Sequence, residues 1–347
     1  MSDSIVKPNR FSSLLAQSPV RPTVTTGDIW HGWWVTSRME FLGDSVVKVM
    51  LPLLLVLRHE PWKREFFELS FWVLVIWLFG HWVGSSINCL ADYPVDRLDT
   101  GRKSRLSTAV DRAGLRALLL VNLTEAILAT VISIWLAFRF GKPLLPAFWL
   151  AGLLIAYFYS FEPVRLKRRN LLNPLSLTFI VYVMPFAFGY HLLSPVWKLF
   201  DVGVLLTYSV QIGASFFADE VPDHDEDRAM QVYTPAVTYG RYIACWLAAI
   251  FYILSCGASL GLYIWSTGLT SLGRAAIIVV VTAAYLWVLR KYLTLAGISK
   301  QIEAASDYRT RQEGIRRLKR TSNTPAEIFV TSIGALLLAI GEALLSQ

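Results

Sequence analysis

The sequence predicts an all-α integral membrane bundle of about nine transmembrane helices, and three observations carry that prediction. Of its 347 residues 54% are hydrophobic and only 17% charged, against about 25% charged in an ordinary soluble domain. Too little polar surface remains to cover a water-facing protein of this length. Nine apolar stretches begin near Phe41, Phe66, Leu115, Leu144, Leu175, Phe200, Tyr242, Arg274 and Ala326, each near the roughly 20 residues that cross a bilayer as a helix. None alternates apolar and polar residues in the manner of a barrel strand, which leaves helices as the spanning structures that satisfy their own backbone. The 13 Trp, 14 Tyr and 19 Phe suit the aromatic belts that membrane proteins place at headgroup level.

Residues 1–28, rich in Ser, Thr and Pro and without an apolar signal core, are expected to be a mobile tail, with residues 29–347 forming the transmembrane domain. The connections after spans two, four, six and eight hold 21 of the 33 Lys and Arg residues, those after spans one, three, five and seven only 7. Basic connections stay on the cytoplasmic side. The even connections and the N-terminus are therefore expected inside, the C-terminus outside, in an inner membrane. Orientation accounts for the formal charge of +8 without a nucleic-acid partner. The longest basic connection, from Arg290 to Arg320, reads as headgroup contact. Cys89, Cys245 and Cys256 lie in apolar surroundings without a paired spacing, which excludes a disulfide framework or a cysteine zinc site. The five histidines show no HExxH pairing.

The scarce acidic residues are concentrated. Span two runs out into Asn88, Asp92 and Asp96, and span six into Asp219, Asp223 and Asp227, each set spaced by four. Four residues is about one helical turn, so each set stacks on one face. Stacked carboxylates repel, and charge near hydrocarbon is costly, so a cation is required. Aspartate oxygens favour hard divalent ions, and magnesium is held by one or two carboxylates with waters and substrate phosphates. Pro94 and Pro222 lie inside the two sets and are expected to kink or break the helices there. Basic residues suited to a diphosphate follow: Lys103 and Arg105 after span two, then Tyr159, Arg165 and Lys167 after span four, where Arg168 and Arg169 are orientation signals. Tyr93, Tyr157, Tyr159, Tyr182 and Tyr208 are candidate linings of an apolar cavity, since aromatic faces stabilise a cation without attacking it as water would.

Asn88, Asp92 and Asp96 followed by Asp219, Asp223 and Asp227, with the Tyr159-Ser-x-x-Pro-x-Arg165-x-Lys167 run, resemble the UbiA superfamily of intramembrane prenyltransferases. That resemblance implies transfer of a prenyl group from an isoprenoid diphosphate to an aromatic or other lipophilic acceptor. It implies two magnesium ions clamped between the aspartate motifs, with Asp92, Asp96, Asp219, Asp223 and Asp227 as ligands. Arg38, ahead of Phe41 to Pro52, is similar to the arginine of the family's first helix. Arg38, Tyr159 and Lys167 become the catalytic candidates, and Asn88, Lys103, Arg105, Arg165, Lys167 and Arg228 the diphosphate contacts. The chain departs from the family pattern at Leu106 and Ala109, and again at Gln231 and Tyr233, where relatives carry glycine and lysine; Arg228 is the substitute contact. A terpene cyclase would use the same ionisation without an acceptor. A polar acceptor pocket near Arg38, Asp44 and Lys48 would favour transfer. A cation transporter would place its acids near the bilayer midplane, not at span ends.

Overall fold

The computed structural model describes residues 23–58, 64–97, 104–194, 196–268 and 271–345. Among them the backbone is helical, with one isolated bridge between Arg169 and Tyr233 and no strand. Every predicted span has its helix. Seven helices are long and apolar enough to cross a bilayer, and two shorter apolar helices, 47–57 and 145–160, bring the set to the nine stretches read from the sequence.

The chain divides into two compact units, Met1–Met39 with Val75–Leu166, and Glu40–Leu74 with Lys167–Gln347. In the first unit α1 (Thr26–Thr36) opens with a capping box: Thr25 Oγ1 accepts from the Asp28 N–H while Asp28 accepts from Thr25. Two orphan donors of the first turn are thereby satisfied. The helix thus begins at Thr26, inside the segment 1–28 that the sequence predicts as a tail. α1 packs on α4 (Ser104–Ala113), and α5 (Leu115–Phe140) on α6 (Leu145–Ser160). Their core gathers Tyr93, Val110, Ala113, Leu118 and Phe161. α5 exposes Leu120, Leu123, Ile127 and Phe138 but turns Asn122 and Glu125 inward. Asn122 donates to the Val83 carbonyl at 3.1 Å, and Glu125 accepts from Trp33 Nε1 at 2.6 Å. Apolar outside and polar inside is the pattern of a helix that meets lipid on one face and protein on the other.

Gly32 is the close-approach point of α1. A Cβ there would lie 2.4 Å from the Ala113 Cβ and 3.2 Å from the Ala109 carbonyl, so Gly32→Ala must push α1 off α4. The expected loss is about 1–3 kcal/mol, the usual cost of overpacking, read as a lower thermal midpoint of the detergent-purified protein.

In the second unit α2 (Leu42–Leu57), α7 (Leu172–Leu193), α8 (Leu199–Asp219), α11 (Arg241–Thr267), α12 (Leu272–Ala304) and α14 (Thr324–Leu345) pack as neighbours. Tyr252, Tyr285, Tyr292, Val288 and Ala248 fill the core. α7 takes a π-helical turn at Phe179–Val183, closed by the Met184 N–H on the Phe179 carbonyl, immediately before Pro185, which has no N–H to continue the ladder. The expected loop 290–320 is mostly helix. α12 continues to Ala304 and carries Arg290, Lys291 and Lys300, and a separate basic helix, α13 (Tyr308–Thr321), precedes α14. Apart from these, Arg58 at the end of α2 joins two buried acids, Glu342 of α14 at 2.8 Å and Asp201 of α8 at 3.5 Å. Tyr190 donates to the other Asp201 oxygen, and Ser266 to the other Glu342 oxygen at 2.8 Å.

Candidate active site: two acidic motifs

The first motif sits on α3 (Arg64–Asp96), which runs unbroken through Pro94. Pro94 forfeits the bond to the Leu90 carbonyl, a loss tolerated in the final turn, so the helix is not broken there and Asn88, Asp92 and Asp96 share one face. Asp92 and Asp96 are buried. Arg165 reaches Asp92 from the turn after α6, its Nη2 donating to Oδ1 at 3.1 Å. The Arg165 side chain is almost wholly enclosed, yet Nε and Nη1 have no hydrogen-bond partner, and neither does the buried Asn88 Oδ1. A buried guanidinium with two unused donors beside carboxylates is set to receive an anion, because unmet buried donors are costly. The Arg165 backbone lies at φ +35°, a conformation non-glycine residues rarely adopt and that recurs at functional sites.

Tyr159 is buried in the last turn of α6. Tyr157, offered as a cavity lining, instead lies 40% exposed, its ring 5.0 Å from Phe161, because one helical residue step of about 100° carries its side chain away from the buried Ala156 and Tyr159 face. Arg38 follows α1, half-buried, at φ +52°. Arg105 is exposed on α4, and Lys103 lies outside the described residues.

The second motif is not one helical ladder. Pro222 ends α8, which stops at Asp219; turns cover Glu220 to Asp223, and α9 (His224–Ala229) restarts beyond them. Asp223 and Asp227 remain one turn apart, the Asp227 N–H bonding the Asp223 carbonyl at 2.8 Å. Asp219 Oδ1 accepts from Thr324 at 2.7 Å. The three acids of this run that are not in the motif are each tied to a partner from another helix. Glu220 accepts from Asn173 of α7 at 2.6 Å, and Glu226 meets Lys319 of α13 at 2.5 Å. Asp225 meets Arg241 of α11 at 2.7 Å, His224 at 2.9 Å and Arg311 at 3.8 Å.

Burial, reinforced by the charges of Asp227 and Asp219, pushes the Glu220 carboxyl well above the usual carboxylate range. Burial would raise Asp225 as well, but hydrogen bonds from Arg241 and His224 outweigh it and hold Asp225 below its ordinary value. Burial also lowers His224, against the opposing pull of Asp225. Lys167, in the short 3-10 turn Leu166–Arg168, adds a positive field that favours ionised Glu220. Arg228 is exposed on α9.

Just past α9, Gln231 stands at φ +56°, which explains why glycine suits this position: only glycine enters the left-handed region without a Cβ penalty. Gln231→Gly is expected to stabilise the folded protein by about 1 kcal/mol, seen as a higher thermal midpoint with the fold unchanged. Tyr233 fills the place of the relatives' lysine with an exposed side chain, while its carbonyl accepts the Asn170 N–H at 2.6 Å. Asn170, at φ +46°, also donates at 2.9 Å to the hydroxyl of Tyr239, which closes the short helix α10 (Pro235–Tyr239). Asn170, Asn173 and Arg241 were not singled out by the sequence. An asparagine directly after Arg168-Arg169 was the one available cue, since Asn tolerates the left-handed region.

Lys48 of α2 is buried with its ammonium 4.1 Å from the centre of the Tyr182 ring, inside the π-helical turn of α7. Tyr208 and Phe216 pack against Tyr182 at 5.6 and 6.1 Å. The Asp44 side chain lies outside the described residues. Among those described, no three His, Cys, Asp or Glu side chains form a ready-made cation cage. The donor set suits magnesium, which takes one or two carboxylates and completes its shell with water and phosphate; the orphaned Asn88 oxygen adds a further hard donor.

Long helices with apolar flanks define a multi-pass membrane protein, with one aspartate motif at the end of α3 and another at the end of α8. The sequence pattern of the UbiA prenyltransferase family matches residues 50–305, and the chain belongs to that family. The fold is similar to that of a UbiA homolog from Archaeoglobus fulgidus bound to DMAPP and Mg2+, with 13% identity and a TM-score of 0.55 over 87% of this chain and 99% of that one. It is similar also to the apo UbiA homolog of Aeropyrum pernix K1, with 15% identity and a TM-score of 0.58 over 83% and 96%. A digeranylgeranylglyceryl phosphate synthase gives 15% identity and a TM-score of 0.52 over 89% and 99%. Among curated protein sequences none matches the chain.

Proposed function

We propose that this protein is a magnesium-dependent intramembrane prenyltransferase that ionises an isoprenoid diphosphate and transfers the prenyl group to an aromatic or other lipophilic acceptor. The observation that carries the reading is Arg165, buried against Asp92 with two donors unused beside the unpartnered Asn88 oxygen. In this reading Asp92, Asp96, Asp219, Asp223 and Asp227 hold the metal, and Asn88, Lys103, Arg105, Arg165, Lys167 and Arg228 receive the diphosphate. Magnesium, when bound, stabilises charge growing on the leaving group. Arg165 and Lys167 would add charge-assisted hydrogen bonds to the diphosphate, with Arg38 and Tyr159 positioning the reacting end. The basic connections favour a site on the cytoplasmic face of an inner membrane. The homolog bound to DMAPP and Mg2+ and the digeranylgeranylglyceryl phosphate synthase lend support through the shared fold.

Transfer rather than cyclisation is supported by Lys48. A buried ammonium on the Tyr182 ring offers a polar acceptor a charged anchor, where a cyclase needs only an apolar, aromatic wall. Membranes containing the protein, incubated with labelled farnesyl, geranylgeranyl and longer diphosphates with and without magnesium and with candidate acceptors, test this. Magnesium-dependent diphosphate release that requires an acceptor and yields a prenylated product is expected. Accumulation of a hydrocarbon or terpene alcohol without acceptor would establish the cyclase, and absence of release from every diphosphate would overturn the ionisation itself.

A further inference from the structure

α13 follows α12, an apolar helix long enough to cross a bilayer, and precedes the apolar α14, with which it makes up the segment Tyr308–Glu342. It carries Arg309, Arg311, Arg316, Arg317, Lys319 and Arg320 against a single acid, Glu313. Six cations cannot enter hydrocarbon at a tolerable cost, so this helix is held at the membrane surface. Its inner face is fixed. Leu318 is fully buried, Ile315 packs on the core, and Gly314 sits so close to Ile302 that a Cβ would approach within 2.6 Å. On the same unit Arg311 and Lys319 face Asp225 and Glu226 of α9. The outer face is different in kind: Arg309, Arg316 and Arg320 fall at helical spacing on one exposed stripe with Glu313, and exposed Arg317 stands beside them. Tyr308 opens the helix, 79% exposed, with an amphipathic side chain suited to the headgroup layer.

We propose that the outer face of α13 is a binding surface for anionic phospholipid headgroups. Charge complementarity and enforced position select that partner: a row of guanidiniums fixed beside two crossing helices meets lipid phosphates before any solute, and arginine grips phosphate through paired donors. Each Lys or Arg near an anionic leaflet strengthens binding about fivefold, so the four outer arginines together give on the order of a 100-fold preference even after partial screening. Because α13 also holds α9 through Arg311 and Lys319, the lipid surface and the second acidic motif share one element.

The full-length protein, purified in neutral detergent and titrated with dioleoyl phosphatidylglycerol or phosphatidylcholine, tests it by native mass spectrometry. Wild type is expected to retain phosphatidylglycerol far better than phosphatidylcholine, with retention falling in 0.5 M salt, as the roughly 4 Å Debye length there requires. R309Q/R316Q/R317Q/R320Q is expected to lose most of that preference, and the corresponding four-lysine variant to keep the greater part of it. Equal retention of the two lipids by wild type, or an unchanged preference in the glutamine variant, would overturn the proposal. So would displacement of the lipid by millimolar inorganic phosphate, which would mark a site for a soluble anion. Should the glutamine variant fail to fold, the wild-type lipid preference and its salt dependence decide the question.

Discussion

Asp92→Ala is expected to abolish turnover and to destabilise the protein at once, whereas Asp223→Ala is expected to abolish turnover with the fold intact. Both side chains belong to the proposed metal site, and loss of an electrostatic group acting on the departing diphosphate costs at least about 100-fold in kcat. The difference lies in what each leaves behind. Removing Asp92 strands the buried Arg165 guanidinium, whose Nη2 has Asp92 as its partner and whose other nitrogens have none. Breaking a buried ion pair from one side costs about 3–5 kcal/mol. Asp223 is half-buried at the start of α9, where water reaches the site, so its removal costs less than opening an enclosed ion pair. Diphosphate release from a labelled substrate and thermal melting in detergent, measured on both variants and on Asp92→Ala with Arg165→Leu, separate the two effects. The double variant is expected to regain stability without regaining activity. Retained turnover in Asp92→Ala or Asp223→Ala would sink the metal assignment, and an unshifted melting curve for Asp92→Ala would remove the Arg165 pair from the stability argument.

The fold was legible because hydrocarbon imposes a single rule: a backbone in lipid must satisfy itself, so length and apolarity alone mark each span. Each of the nine predicted starts has a helix beginning close by. The site was legible in composition more than in geometry. Identical four-residue spacing suggested identical ladders, yet Pro94 falls in a closing turn and leaves α3 intact, while Pro222 falls where α8 ends and splits the second set. Spacing records which residues could share a face; whether the helix persists depends on where proline falls relative to its end. Partners contributed from distant sequence were invisible for a simpler reason. Asn173, Arg241, Lys319 and Thr324 meet the acidic run only through packing of α7, α11, α13 and α14, and no local pattern encodes it. The basic stretch 290–320 looks like one connection in the sequence, because charge density announces surface exposure without revealing that α12 reaches Ala304 before α13 begins.

Arg58→Leu is expected to be among the most damaging substitutions far from the acidic motifs. Asp201 is fully buried and Glu342 nearly so, and Arg58 serves both while lying 4.2 Å from the centre of the Phe200 ring. With the guanidinium gone, two enclosed carboxylates at the ends of α8 and α14 lose the cation they share, although Tyr190 and Ser266 still donate to them. Hydroxyl donors lessen the desolvation penalty but supply no opposing charge, so a loss of about 3–5 kcal/mol is expected. Neutralising the acids as well reverses the logic: R58L/D201N/E342Q removes the stranded charges, and an uncharged replacement of a buried ion network is often close to neutral. The triple variant should therefore melt nearer wild type than Arg58→Leu alone, an ordering that a simple packing defect cannot produce. Turnover per folded molecule should change little in either variant. Asp201 and Asp219 stand at opposite ends of α8, about 27 Å apart at the helical rise of 1.5 Å per residue, so this network braces one end of the unit while the acidic motif occupies the other.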